Sequence, residues 1–123
     1  LADARHLPLP DGVQDVVLLL GPLYHLTERQ DRLAALRDAR RVLRPGGLLA
    51  AAAITRFGSW LYGLQFELLD DPEFREMALE DVRTGQHRSI DDRWFTTAYF
   101  HLPEELETEC VEAGFEIREG SCR

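Results

Sequence analysis

Two cysteines, Cys110 and Cys122, are all that the 123 residues contain. That is too few for a disulfide framework, and their spacing matches no metal site. Cys110 falls on the apolar stripe of an expected helix and packs there as a small hydrophobe. The four histidines are scattered without a His-x-x-x-His spacing, so no metal centre is expected. No apolar run approaches the length of a membrane span and no signal peptide is visible. The expected setting is therefore cytoplasmic, reducing and without membrane contact. Basic excess is missing too. The net charge is −8, which argues against nucleic acid, because such sites need clustered Lys and Arg to displace counterions. The one basic cluster, Arg37, Arg40, Arg41 and Arg44, shares its helix with Asp31 and Asp38 and reads as a solvated face. There is no internal repeat, no Gly-x-Gly-x-x-Gly and no P-loop. An initiating methionine is also absent: the chain opens at Leu1 and ends in Gly120-Ser-Cys-Arg123 just after a strand-like segment. A fragment or an incomplete gene product is the expectation.

What is present is a globular composition, 45% apolar and 29% charged, of a size for one domain or part of a larger one. After the turn-rich connector Leu7-Pro-Leu-Pro-Asp-Gly12, Val13 to Leu20 reads as a strand whose continuous hydrophobicity suits burial on both faces. Thr27-Glu-Arg-Gln30 fits a capping box, opening a helix with Leu33, Leu36, Ala39, Val42 and Leu43 on one face. Pro45 stops that helix, and Gly46-Gly47 turn the chain into a second strand, Leu48 to Ile54. Strand, helix and strand form a crossover joining parallel strands.

Residues 57–93 break the alternation with two helices that read as a lid insertion. One carries Phe57, Trp60, Leu61, Leu64 and Leu68; the other starts at Asp71-Pro72-Glu73 and runs to Gly85. Trp94 to Phe100 then predicts a strand and Pro103 to Ala113 a helix closed by Gly114, with a further strand starting at Phe115-Glu-Ile117.

In an open parallel sheet the ligand lies beyond the carboxyl ends of the strands. Asp3, Gly21 to His25 and Thr55 to Trp60 would share that crevice. Gly21 lets backbone approach a ligand, and Pro22 withholds an N–H, leaving carbonyl acceptors for an amino-bearing or cationic group.

The runs Ala2-Asp-Ala-Arg-His-Leu-Pro-Leu-Pro-Asp11, Gln14-Asp-Val-Val-Leu18, Arg40-Arg-Val-Leu-Arg-Pro-Gly-Gly-Leu48, Pro103-Glu-Glu-Leu106 and Glu112-Ala-Gly-Phe115 resemble class I S-adenosylmethionine-dependent methyltransferases. The resemblance implies a Rossmann-like α/β fold over residues 1–123: an incomplete parallel sheet, helices on both faces, and the helical lid at 57–93. It implies S-adenosylmethionine as cofactor and methyl transfer to a small-molecule acceptor. Asp3 would accept from the adenine amino group with the Ala4 backbone beside it, and Gly21, Pro22 and Leu23 would line the methionine end. Tyr24 and His25 would face the transferred methyl group, His25 as general base and Tyr24 against the sulfonium. Arg56, Trp60, His87 and Arg88 are the candidate acceptor contacts.

Trp60, Tyr62, Phe66, Trp94 and Tyr99 serve either as an aromatic acceptor pocket or as lid core, and His101 is a further polar candidate. The family's glycine-rich loop and the acidic residue closing its second strand are missing from this sequence. The chain by itself is therefore expected to be inactive. The alternative is a non-catalytic module that uses the same fold for interaction, with the exposed sheet surface favouring a homo-oligomer.

Overall fold

The run of β-branched and aliphatic residues after Gly12 forms strand β1, Gln14–Leu19, in the computed structural model, which describes residues 2–89, 91 and 93–118. Leu1, Cys122 and the rest of the Gly120–Arg123 terminus lie outside the described residues. A four-residue helix, α1 (Pro22–His25), follows at once with proline at its first turn. Helix α2, Arg29–Val42, leads into β2, Leu43–Ala51, which pairs with β1 in parallel as the crossover predicts. Thr27 does not cap α2: its N-cap is Glu28, with no side-chain bond. The buried Arg32 ties the chain there by another route, donating to the Leu26 and Thr27 carbonyls at 3.0 and 2.9 Å. The chain is thus held at the helix entrance by a guanidinium instead of a hydroxyl.

Pro45 acts one step earlier than expected. It disfavours helical backbone at Arg44, and Leu43 is already extended. The Arg44–Gly47 turn lies inside β2 as a bulge, because the register steps from Gln14↔Leu43 to Val16↔Leu48. Gly47 belongs there because a Cβ would stand 2.8 Å from Leu43 Cδ2 and 3.2 Å from the Asp15 carbonyl. The expected strand Leu48–Ile54 is split. Its first part serves β1, while β3, Ile54–Thr55, pairs in parallel with β5, Ala98–His101. The two-residue β4, Gln86–His87, joins the other edge of β5 antiparallel.

Between β3 and β4 lie α3, Gly58–Gln65, and α4, Pro72–Thr84, which pack on each other. The ends of α4 are those its sequence predicts. Asp71 accepts from the Glu73 and Phe74 N–H groups, and Gly85 closes it in the left-handed conformation at φ 75°. A Cβ on Gly85 would meet the Phe100 carbonyl at 2.5 Å, which makes glycine doubly necessary. The last helix, α5, is Pro103–Glu112. Phe115 to Ile117 is not a strand: the segment has no ladder partner among the described residues and Phe115 packs inward on the core.

That core joins Leu19, Leu23, Leu36, Ala39, Cys110 and Ala113, with Val17, Leu49 and Ala51 packed against them. Both α2 and α5 therefore cover one face of the β1–β2 pair. The alternate residues Val16, Leu18, Leu20 and Leu48 are 50–62% exposed, so burial on both faces, and helices on both faces of this pair, are not found among the described residues. The four arginines of the basic cluster are not merely solvated. Arg40 bonds the Gly114 carbonyl, Arg41 ties Asp38 and Asp11, Arg44 binds Asp15 and Arg37 approaches Glu112.

Candidate functional site

The carboxyl ends of β1 and β3 lie at the end of the fold where the sequence placed its crevice. Residues 7–13 run along α2 toward its last turn: Leu7 N–H donates to Asp38, Gly12 to the Arg41 carbonyl and Val13 to the Val42 carbonyl. That course carries the chain to the start of β1 and leaves Asp3 at the opposite end, beside the first turn of α2. There Arg5 bridges Asp3 at 2.8 Å and Asp31 at 3.1 Å. Asp3, the β1 end and α1 thus share one end of α2.

Asp3 closes a turn as well. Its Oδ1 accepts the Arg5 backbone N–H at 2.9 Å, and its carbonyl accepts that of His6 at 3.0 Å. The Arg5 side chain and N–H hold the carboxyl down to about 2, so an ionised, half-exposed acceptor stands there at all ordinary pH. Gly21 and Pro22 are half-buried, but the Leu23 side chain is fully buried in the core. Only its backbone is free to line a ligand.

The hydroxyl of Tyr24 folds back to 3.5 Å from where a Gly21 Cβ would lie. The Tyr24 ring stands 4.6 Å from that of His25, which is exposed. A third ring completes the group. Phe95 lies 6.4 Å from both, nearly parallel to His25 at 23°, and 6.1 Å from His87. Its backbone has φ 90°, a conformation that costs a bulky residue about 1–3 kcal/mol and persists only where its surroundings enforce it. They do so here. The Trp94 carbonyl meets His87 Nε2 at 3.0 Å, and the Trp94 N–H donates to Ser89 Oγ at 2.9 Å. His87 is itself fixed by Asp81 at 2.7 Å and stacked on Phe100 at 4.8 Å, and Asp81 accepts from Ser59 Oγ at 2.5 Å.

The other candidates fall elsewhere. Arg56 is 5% exposed and spends its guanidinium on Glu105, the Tyr99 hydroxyl and the Phe100 carbonyl. His87 is 1% exposed, behind the Phe95 ring. Arg88 is exposed and lines a shallow hollow with Pro72, Glu73 and Glu76 of α4. Trp60 is half-buried on α3, Tyr62 pairs with Phe66, Trp94 meets Phe74 edge-on and Tyr99 lies under Arg32. These five aromatics do not gather into one pocket. A cavity of about 960 Å³ runs along β2 and α5, lined by Leu48, Pro103 and Ile117; it reaches Ala51, the partner of Leu19 at the end of β1, but is lined by none of Asp3 and Gly21–His25.

Phe95 and Asp81 went unseen in the sequence. For Phe95 no local signal exists. For Asp81 one did: Phe74, Ala78 and Asp81 follow the i, i+4, i+7 spacing of a buried face.

Beside this site runs a buried ion-pair network. Arg32 and Glu109, each 2% exposed, bond at 2.8 Å, and His101 Nε2 meets Glu109 at 3.1 Å. Burial alone would raise the Glu109 carboxyl, but bonds from His101 and Arg32 outweigh it and hold the group below its ordinary 4.5. A carboxyl lowered in the folded state adds stability above its unfolded value and loses it as pH falls through the folded one. Melting temperature should therefore hold from neutrality to about pH 5 and drop below about pH 4. Glu109→Gln should flatten that acid limb, and an unchanged limb in the variant contradicts the assignment.

A family model described as a methyltransferase domain matches residues 1–51. A 27-O-demethylrifamycin SV methyltransferase of Amycolatopsis mediterranei is 53% identical over 49 residues, 40% of this chain and 17% of that protein. A ubiquinone/menaquinone biosynthesis C-methyltransferase of Ectopseudomonas mendocina is 41% identical over 116 residues, 94% of this chain and 43% of that protein. The chain therefore spans less than half the length of these relatives. In fold it is similar to a SAM-dependent methyltransferase of Methanosarcina mazei, with TM-score 0.69 and 20% identity over 96% of this chain and 54% of that one. A Thermotoga maritima SAM-dependent methyltransferase, described as a possible histamine N-methyltransferase, gives TM-score 0.58 and 24% identity over 93% and 44%. The fold is that of a Rossmann-like α/β domain. In sequence and in fold the chain is similar to S-adenosylmethionine-dependent methyltransferases, and its first 51 residues match the methyltransferase-domain family.

Proposed function

We propose that the protein transfers a methyl group from S-adenosylmethionine to a small-molecule acceptor, in a cytoplasmic setting, and that this chain forms the adenine, methionine and acceptor walls of the site. The observation that carries the reading is the convergence of Asp3, Gly21–Leu23 and the Tyr24–His25 pair at one end of α2. The residues fit the cofactor. Asp3 presents an ionised acceptor suited to an exocyclic amino group, and Gly21 brings no side chain of its own to the strand end. When bound, the cofactor supplies an electrophilic methyl group on a sulfonium. Asp3 seats the adenine, and the Gly21–Leu23 backbone lines the methionine end. The Tyr24 ring offers its face to a cation, worth about 0.5–2 kcal/mol. His25 is placed to take a proton from an acceptor hydroxyl or amine. Residues 57–93, with α3 and α4, act as the lid. No helix among the described residues is long and apolar enough to cross a membrane.

A second reading, a non-catalytic module that self-associates, draws on the exposed Val16, Leu18, Leu20 and Leu48 face. Calorimetry with S-adenosylhomocysteine separates the two, using the longest reading frame that contains these residues. Binding is expected, weakened about ten- to a hundredfold by Asp3→Ala, since a bond to a charged group is worth about 1.5–3 kcal/mol. Equal affinity removes Asp3 from the site. A wild-type protein that sediments as an oligomer and binds nothing favours the module.

A further inference from the structure

We propose that Arg32 is a positioning residue for the methyl-transfer site: from a buried anchor it holds the backbone that carries Tyr24 and His25. Its part in methyl transfer rests on the methyltransferase reading, whereas its hold on α1 is tested without it.

Helix α1 is a single turn with no side-chain bond at its Gly21 N-cap. Its closing bond runs from the Leu26 N–H to the Pro22 carbonyl at 3.1 Å. One turn fixes several dihedrals for one hydrogen bond and does not persist alone. Its middle is pinned by Leu23, which is fully buried, but His25 at its end is exposed. The two residues that follow His25 are held by Arg32, whose Nη1 donates to the Leu26 and Thr27 carbonyls at 3.0 and 2.9 Å.

The guanidinium is itself fixed on the far side. Its Nε and Nη2 bind Glu109 of α5 at 3.1 and 2.8 Å, and the Tyr99 ring of β5 lies 3.8 Å away. His101 of β5 holds the same carboxylate at 3.1 Å. The exit from α1 is thereby referenced to β5 and α5. A buried ion pair is weak evidence of stability, since packed apolar groups of similar volume often do as well. Apolar groups cannot bond two consecutive carbonyls and a carboxylate at once, and the planar fork of arginine does.

A second donor meets the same point. Gln86 of β4, next to the Gly85 that closes α4, donates its Nε2 to the Thr27 carbonyl at 3.2 Å. Its Oε1 is buried without a partner among the described residues. An unmet buried acceptor costs stability that an apolar side chain would not, so the amide's contribution lies in its bond to Thr27. That bond joins the end of the helical insertion to the exit from α1.

Hydrogen exchange at the Leu26 amide, with the Tyr24 and His25 ring resonances, tests this in the longest reading frame that contains these residues. Arg32→Met with Glu109→Leu replaces the ion pair by packed apolar groups and should recover most of the urea midpoint, but it lacks the carbonyl donors. Leu26 protection should fall about tenfold relative to the amides of α2, and the ring resonances should shift. If the double variant does not fold, Arg32→Lys takes its place: the ammonium keeps Glu109 paired without the fork, and the same relative fall is expected. Gln86→Met strands no charge. Its urea midpoint should hold or rise while Leu26 protection falls about threefold. Protection at Leu26 that falls only in step with α2, or ring resonances unmoved in the Arg32 variant, makes Arg32 purely structural and overturns the proposal. S-adenosylhomocysteine affinity keeps the claims apart. Binding to the wild type that the Arg32 variant leaves unchanged overturns the role in the site. No binding to the wild type rejects the methyltransferase reading, and Leu26 exchange still decides the hold on α1.

Discussion

Arg32→Met is expected to lower the unfolding free energy by about 3–5 kcal/mol, the usual cost of stranding one partner of a buried ion pair. The arginine reaches Glu109 through Nε at 3.1 Å and Nη2 at 2.8 Å and also satisfies the Leu26 and Thr27 carbonyls. Its guanidinium lies 3.8 Å from the Tyr99 ring centroid. Methionine fills similar volume but leaves Glu109 with His101 as its remaining side-chain partner among the described residues. The double substitution Arg32→Met with Glu109→Leu should recover much of the loss, because a packed apolar pair costs no desolvation of charge. Urea midpoints at constant slope measure both. A single-variant loss below about 1 kcal/mol, typical of an exposed pair, contradicts the network as drawn.

Asp81→Ala should cost about the same, again about 3–5 kcal/mol. It leaves Ser59 Oγ and His87 Nδ1 without the carboxylate they share, in a site 1% exposed. Asp81→Asn keeps an acceptor oxygen and should lose less, about 1–3 kcal/mol. Because His87 holds the Trp94 carbonyl, both variants should also free the Phe95 loop, seen as a change in Trp94 fluorescence in a Trp60→Phe background. Destabilisation with no change at Trp94 separates the buried pair from the loop and contradicts the coupling.

What the sequence shows and hides divides along physical lines. Local signals survived: the Asp71 cap and Gly85 stop of α4, the parallel strands around α2, and the Gly114 closure of α5. Those features are set by a few consecutive residues. The Thr27 capping box did not form: the helix starts one residue later, with Glu28 at its N-cap, and Arg32 binds the Leu26 and Thr27 carbonyls from within the first turn. The strand Leu48–Ile54 was legible as strand but not as two, since which edge pairs is decided by β1 and β5, distant in the chain. The continuous apolar run marked β1 as a strand and overstated its cover, because such a run does not say what packs on its second face.

Of the proposed site, the part that follows the strand end, Gly21 to His25, could be read from the sequence. Phe95 could not, since only tertiary contact with α1 brings it there. Arg56 was misjudged for a related reason: a charged residue in a loop reads as ligand-facing until its buried partner, Glu105, is placed beside it.

NMR titration of S-adenosylhomocysteine into the labelled protein, in the longest reading frame that contains these residues, tests the central claim most directly. Saturable shifts concentrated at Ala2–Arg5 and Gly21–His25 are the predicted result. Shifts confined to the cavity along β2 and α5, or no shifts at all, would contradict a cofactor site at the end of β1.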